Sequence, residues 1–204
     1  MDAAKFQTYD IYIAAPFFNP VQVGIVSNIE YLCDMHSLTY YSPRRDSGSA
    51  LLRPEERRRF ESWKPILQSN KDAIPRSKMI LAVVEYAMPH GYKLVPAKEC
   101  TMPQTLDYPA HTDWIPIDGA KPVELPDNGV VWECGHADAL NIPIFAFHRT
   151  KHPNELNLML SHTVQGMLTG YEKLSILLGN FHQIMNDLSF DTTGLWETPT
   201  SEVI

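Results

Sequence analysis

The sequence predicts an α/β fold, a doubly wound parallel sheet of five strands with helices on both faces, and three observations carry that prediction. Short β-type runs alternate with helical periodicity in the order strand, helix, strand, helix, strand, helix, strand. One run, Met79-Ile-Leu-Ala-Val-Val84, is apolar throughout, as a central strand covered on both faces must be. With 204 residues, 44% of them hydrophobic and 20% charged, the chain can bury such a sheet within one domain, residues 1–204.

The elements follow in order. Residues 10–15, Asp-Ile-Tyr-Ile-Ala-Ala, form a β-type run closed by Pro16. Residues 20–35 carry Val21, Ile25, Ile29, Leu32 and Met35 at the spacing of one helical face. Leu38-Thr-Tyr-Tyr41 is a second short strand ended by Ser42-Pro43, and residues 44–49 read as a polar loop beyond it. Pro54 suits the first turn of a second helix, which Pro65 kinks or restarts before it runs on to about Ile74. The Met79–Val84 run is the third strand.

Residues 87–126 break the rhythm. Seven prolines lie there with Tyr92, Tyr108 and Trp114, and the aromatic content favours an ordered lid over a disordered insertion. The insertion is taken as about residues 87–125. Asp127-Asn128-Gly129 is turn chemistry with Asp127 as a possible N-cap, and residues 130–140 read as the helix it opens. Residues 143–147 form a fourth strand, Met167-Leu168 a short fifth, and residues 171–185 a last helix with Leu174, Ile176, Leu177 and Leu178 inward. A polar tail covers about residues 189–204.

Composition excludes several classes. A formal net charge of −7 argues against coating a nucleic-acid polymer, which needs a basic face. No apolar run approaches a membrane span, and Met1-Asp-Ala-Ala-Lys lacks the basic-then-apolar order of a signal peptide, so a cytoplasmic location is expected. Cys33, Cys100 and Cys134 are odd in number and scattered, as free thiols in a reducing compartment would be. Cys134, beside Glu133, reads as a nucleophile or as a small buried residue. His148 and His152 have the spacing of half a zinc site but no partner pair, so no metal and no cofactor is expected. Arg53, Arg57, Arg58 and Arg59 are interleaved with Glu55, Glu56 and Glu61, the mark of a solvated helix face.

A parallel sheet of this kind binds ligands beyond the carboxyl ends of its strands. The loops at residues 15–19 and 43–49, the region after Val84 and the loop after Phe147 are therefore the candidate positions. Asp127 and Glu133 enter from the third. Glu133 sits next to Trp132 and Val131, so its carboxyl is either raised in pKa or held by hydrogen bonds; the expected helix carries it in the first turn. With Phe17-Phe18 nearby, the constellation suits a nucleoside- or sugar-sized pocket.

These residues resemble the nucleoside 2-deoxyribosyltransferase family. The resemblance rests on Ile11-Tyr-Ile-Ala-Ala-Pro-Phe-Phe18, the Met79–Val84 strand, Asp127-x5-Glu133-x-Gly135 followed by residues 137–140 and a strand, and Asn157-Leu158-Met159. It covers most of the chain outside roughly residues 87–125 and the far tail. It implies a flavodoxin-like sheet and transfer of 2-deoxyribose between nucleobases through a covalent deoxyribosyl-Glu intermediate, the two-step logic of retaining glycosidases. By position it implies Glu133 as nucleophile, Asp127 on the sugar hydroxyls, Tyr12 close to the nucleophile and Phe17 and Phe18 flanking the base. Asp46 and Ser47 would read the base, and Asn157 would serve a neighbouring subunit's site. The implied partners are a 2′-deoxynucleoside, a free nucleobase and further copies of the chain in a homo-oligomer with shared sites; no membrane is involved.

The family's proton-shuttling Asp falls at Asn70, which has no proton to give at neutral pH. Either Asp72 reaches the site instead or the leaving-group chemistry is altered. Structural alternatives stand beside each assignment: a plain N-cap for Asp127, core packing for Phe17, Phe18 and Tyr12, a loop residue for Asn157. The functional alternatives are an N-glycoside hydrolase of the same fold acting on a nucleoside or nucleotide, and a non-catalytic nucleoside-binding module. The residues Pro16-Phe17-Phe18-Asn19 favour a nucleoside over a nucleotide, since a phosphate reader wants small hydroxyl residues there.

Overall fold

The computed structural model describes residues 8–17, 20–48, 60–84, 92–95, 113–116, 127–149 and 158–186. Five strands form one sheet: β1 (Tyr9–Ala14), β2 (Tyr40–Tyr41), β3 (Ser77–Val83), β6 (Ile144–His148) and β7 (Gly166–Thr169). The sheet order is β2-β1-β3-β6-β7, and every neighbouring pair is parallel. The expected α/β, flavodoxin-like doubly wound sheet is therefore the observed one. Strands β4 (Tyr92–Val95) and β5 (Asp113–Pro116) lie within the proline-rich stretch and pair antiparallel in a separate two-stranded sheet.

Alternation along the central strands builds two cores. Ile11, Ile13, Met79, Leu81 and Val83 face one side, with α1 (Pro20–Met35), α6 (Tyr171–Gly179) and α7 (Phe181–Asn186). Tyr12, Ala14, Ile80, Ala82 and Val84 face the other, with the end of α3 (Phe60–Ala73) and with α4 (Asn128–Asp138) and α5 (Leu158–Thr163). Among the described residues no helix is long and apolar enough to cross a membrane.

Several local expectations need correction. The buried stripe of α1 is Gln22, Ile25, Val26, Ile29, Glu30 and Cys33, while Val21 and Met35 are exposed. At about 100° per residue, this stripe is rotated from the one drawn through the apolar positions alone. The expected polar loop at 44–49 instead begins as a short helix, α2 (Pro43–Asp46), with Pro43 at its start. Helix α3 is continuous through Pro65 and passes into a 3₁₀ turn at Ile74–Arg76, so the proline does not restart it. The single last helix is two, divided at Asn180, and Ile176 is exposed while Leu174, Leu177 and Leu178 are buried. The expected start of the second helix at Pro54, and the tail from residue 189, lie outside the described residues.

Helix α4 positions the carboxyl of interest. Asp127, with extended φ and ψ of −60° and 134°, accepts from the backbone N–H groups of Gly129 (2.8 Å) and Val130 (3.2 Å). This cap starts the helix at Asn128, earlier than the turn chemistry suggested. Glu133 consequently sits in the second turn, not the first, and its carboxyl is not a dipole partner at the helix end. Its place is set by the buried stripe Val130, Glu133, Cys134 and Ala137, spaced i, i+3, i+4, i+7 against the sheet.

Candidate active site

A cavity of about 470 Å³ opens beyond the carboxyl ends of β1 and β2. Ala15 and Phe17 after β1, Pro43 and Ser47 after β2, one face of α3 and the first turns of α4 line it. That is the carboxyl-end side of the sheet, where doubly wound folds bind ligands, and the volume suits a nucleoside-sized molecule. The wall from α3 is Trp63, Ile66, Leu67, Asn70 and Lys71, the i, i+3, i+4, i+7, i+8 face of a helix. Aromatic walls come from Phe17, Trp63 and Trp132, and Lys71 holds its ammonium 5.8 Å from the centre of the Trp132 ring.

Glu133 lies in the wall of this cavity and is buried from bulk solvent, at 8% exposure. Its Oε1 accepts two hydrogen bonds, from the Tyr12 hydroxyl at 2.6 Å and from Asn70 Nδ2 at 3.3 Å. Oε2 has no hydrogen bond among the described residues. Burial pushes the Glu133 carboxyl from an ordinary 4.5 up to about 8; the Tyr12 and Asn70 donors pull against that, and the negative charge of Asp127 adds to it. The two possibilities read from the sequence, a raised pKa and a hydrogen-bonded carboxyl, thus coexist.

Tyr12 is fully buried in β1, and burial with Glu133 beside it drives its pKa far upward, so it stays a proton donor. Burial and the neighbouring Glu133 likewise push the Cys134 thiol up to about 12. A thiol so strongly protonated is no nucleophile at neutral pH, and Cys134 serves as packing.

Asp127 lines the cavity while capping α4 through Oδ1 alone, so its structural and ligand-facing roles are compatible. Gly129 makes the cap possible: a Cβ at that position would stand 2.8 Å from Asp127 Oδ1. Phe17 and Ser47 line the cavity as well. Asp46 does not, among the described residues; it is exposed, and its carboxylate accepts from the Ser42 backbone N–H at 2.7 Å, tying off the turn after β2. That turn is also anchored from α1, where buried Glu30 accepts from Ser42 Oγ (2.7 Å) and pairs with Arg44.

Asp72 is a correction. It is exposed and accepts from Gln68 Nε2 at 2.8 Å, one helical turn away on the outer surface of α3. At about 100° per residue it points roughly 200° away from Asn70, so the two cannot both face Glu133. Asn70 is the residue in contact. Phe18 and Asn157 lie outside the described residues.

Sequence reading gave no site role to Lys71, Trp63 or Tyr41, and took Trp132 only as an apolar neighbour of Glu133. The first two were accessible to it, since Trp63, Ile66, Leu67 and Asn70 already fall on one helical face that continues into Lys71. Trp132 and Tyr41 carry no such signal.

The fold is shared. A 2-deoxyribosyltransferase from Bacillus psychrosaccharolyticus superposes with a TM-score of 0.50 at 20% identity, over 94% of this chain and 98% of that one. A 2-desoxiribosyltransferase from Leishmania mexicana gives 0.40 at 18% identity over 71% of this chain and 67% of that one. A conserved protein from Enterococcus faecalis gives 0.44 at 13% identity over 89% and 98%. No family model matches the sequence, and no curated protein does.

Proposed function

We propose that the protein transfers 2-deoxyribose between nucleobases, with Glu133 as the nucleophile and a covalent deoxyribosyl ester as intermediate. The observation that carries this reading is the Glu133 carboxyl itself: buried in the wall of a nucleoside-sized cavity, with Oε1 held by Tyr12 and Asn70 and Oε2 left without a partner among the described residues. Oε2 attacks C1′, an ester bond forms, and the C1′–N bond breaks with its electron pair going to the departing base. A nitrogen of the incoming base then attacks C1′ and releases its proton to solvent, balancing the proton that the departing base takes up from solvent, and the ester electron pair returns to the carboxylate. Tyr12 and Asn70 stabilise the carboxylate as it is regenerated. Asp127, through the oxygen not engaged in the cap, binds sugar hydroxyls. Phe17, Trp63 and Trp132 supply flat apolar surface for a base, and Ser47 supplies polar contact.

On this reading the protein works in the cytoplasm without cofactor, on a 2′-deoxynucleoside and a free base. It assembles as a homo-oligomer in which Asn157 serves a neighbouring site. Incubation with a deoxynucleoside, with and without a second base, tests the reading. Base exchange supports it. Release of free sugar irrespective of the second base would replace it with hydrolysis, and binding without turnover with a non-catalytic module.

A further inference from the structure

We infer that Tyr41 is a positioning residue for Glu133: its hydroxyl locks the side-chain amide of Asn70 with the NH₂ turned to Oε1. The Tyr41 hydroxyl sits 2.7 Å from Ser69 Oγ and donates to Asn70 Oδ1 at 3.2 Å. Asn70 Nδ2 then donates to Glu133 Oε1 at 3.3 Å, the oxygen that already takes the Tyr12 proton at 2.6 Å. An amide can stand either way round in a pocket, and its neighbours decide. With the carbonyl turned to Glu133, Asn70 would set a lone pair against an oxygen whose own lone pairs are already receiving a proton. With the NH₂ turned there, one directed chain of hydrogen bonds runs from Ser69 to Tyr41 to Asn70 to Oε1 of Glu133.

Tyr41 can hold that direction over the whole working range. It is almost wholly buried on β2, and burial pushes its hydroxyl up to about 12, so the proton it gives to Asn70 is not lost. Its ring is fixed by stacking on Tyr12 (5.4 Å between centres, 16° between planes) and by an edge contact with Tyr9 at 5.5 Å. Among the described residues neither Tyr41 nor Ser69 lines the cavity, so the residue acts through Asn70 and not on a ligand. The other titratable groups around Glu133 are Tyr12 from β1, Asp127 and Cys134 from α4, and Lys71 of α3 in the same cavity wall; the Tyr41 variant leaves all of them in place.

The functional weight of this inference rests on the reading of Glu133 as nucleophile, but its test does not use turnover. Protein labelled with ¹³C at glutamate carboxyls is titrated, with the Glu133 signal assigned by its absence in Glu133→Gln. Tyr41→Phe keeps the ring and removes the hydroxyl. The Glu133 midpoint is expected to rise by about half a pH unit or more, because a donor that favours the carboxylate is loosened. Asn70→Ala is expected to raise it at least as far, and the double variant no further than Asn70→Ala alone. An unchanged midpoint in Tyr41→Phe would overturn the inference. So would an additional rise in the double variant, which would mean that Tyr41 acts through the Tyr12 ring. A neutron structure of the unsubstituted protein gives a second reading: the deuteron on the Tyr41 hydroxyl is expected to point at Asn70 Oδ1, and a deuteron pointing at Ser69 Oγ would overturn the inference too. Failure of base exchange with the expected titrations intact would remove the transferase reading and leave this one standing.

Discussion

Replacing Glu133 by Gln should stabilise the protein at neutral and alkaline pH, although it removes the residue on which the proposed chemistry depends. In the folded state the carboxyl titrates near 8, against an ordinary 4.5 that the unfolded chain restores. A folded pKa raised above the unfolded one contributes stability that is full below about pH 4.5. That contribution is lost as pH rises through the folded value, because the unfolded chain gives up its proton first. At about 1.4 kcal/mol per pH unit, the loss is about 3 kcal/mol by pH 7, about 4 kcal/mol at pH 8 and about 5 kcal/mol in full above it. Gln copies the neutral acid: its Oε1 accepts from Tyr12 and Asn70 as before, and its NH₂ takes the place of Oε2. It has nothing to titrate.

Urea unfolding of both proteins from pH 5 to pH 9 measures the difference directly, and all other titrating groups cancel in the subtraction. The wild-type curve should fall away from the Gln curve through this window and level off above about pH 8.5. Curves that run parallel across the window would refute the reasoning, since Glu133 would then ionise alike in folded and unfolded chains. The same variant should lack base exchange.

Three further outcomes follow from named contacts. Tyr12→Phe removes the 2.6 Å donor from Oε1, so the ascending limb of kcat/KM against pH should move to higher pH, with a stability cost of about 1 to 3 kcal/mol seen in urea unfolding. Gly129→Ala forces Asp127 Oδ1 out of its cap, at a cost of about 0.5 to 2 kcal/mol, while the helix interior gains up to about 1 from the alanine. Its melting temperature should therefore hardly move, whereas KM for the deoxynucleoside should rise as the carboxylate swings away from the sugar. Asp72→Ala should leave turnover within about twofold, far less than the 10²-fold or more expected of a lost general acid, because the residue faces solvent on the far side of α3. A large loss there, measured as steady-state base exchange, would place Asp72 in the chemistry after all.

The sheet was legible because its signals are local: β-type runs of the right length, an unbroken apolar strand at 79–84, and an N-cap Asp ahead of Glu133. What failed was phase. A two-residue difference in where α4 begins decides whether Glu133 is a solvated dipole partner or part of a buried stripe, and the cap geometry at Asp127 and Gly129 decides it. The apolar positions of α1 suggested a stripe that omitted Gln22 and Glu30, because nothing local says that a Glu will be buried against Ser42 and Arg44 from another element. Tyr41 was invisible for the same reason. Its role depends on β2 lying beside β1 in parallel register, Tyr12 opposite Tyr41, and on α3 passing over both. Asn70 and Asp72, by contrast, could have been told apart from the sequence, by asking which of the two shares a helical face with Trp63, Ile66 and Leu67.

For the proposed nucleophile a pKa near 8 looks at first like a handicap, but the magnitudes say otherwise. At pH 7 about one molecule in ten carries Glu133 ionised, a loss of about 1.4 kcal/mol against a fully ionised carboxylate. The same burial that causes the loss removes water from the carboxylate, and Oε2 has no partner among the described residues, so on the proposed mechanism the ionised form meets a developing cation at C1′ with little solvation to shed. An attraction of opposite charges a few ångströms apart at a partly buried site is of the order of 4 kcal/mol, which exceeds the cost of deprotonation. The two donors on Oε1 then set how far the balance can be pushed. With neither, the carboxyl would stay neutral through the physiological range. Donors on both oxygens would hold the carboxylate too well for it to attack. Tyr12 and Asn70 bind one oxygen and spare the other, and for an ester-forming carboxylate that asymmetry is what the chemistry requires.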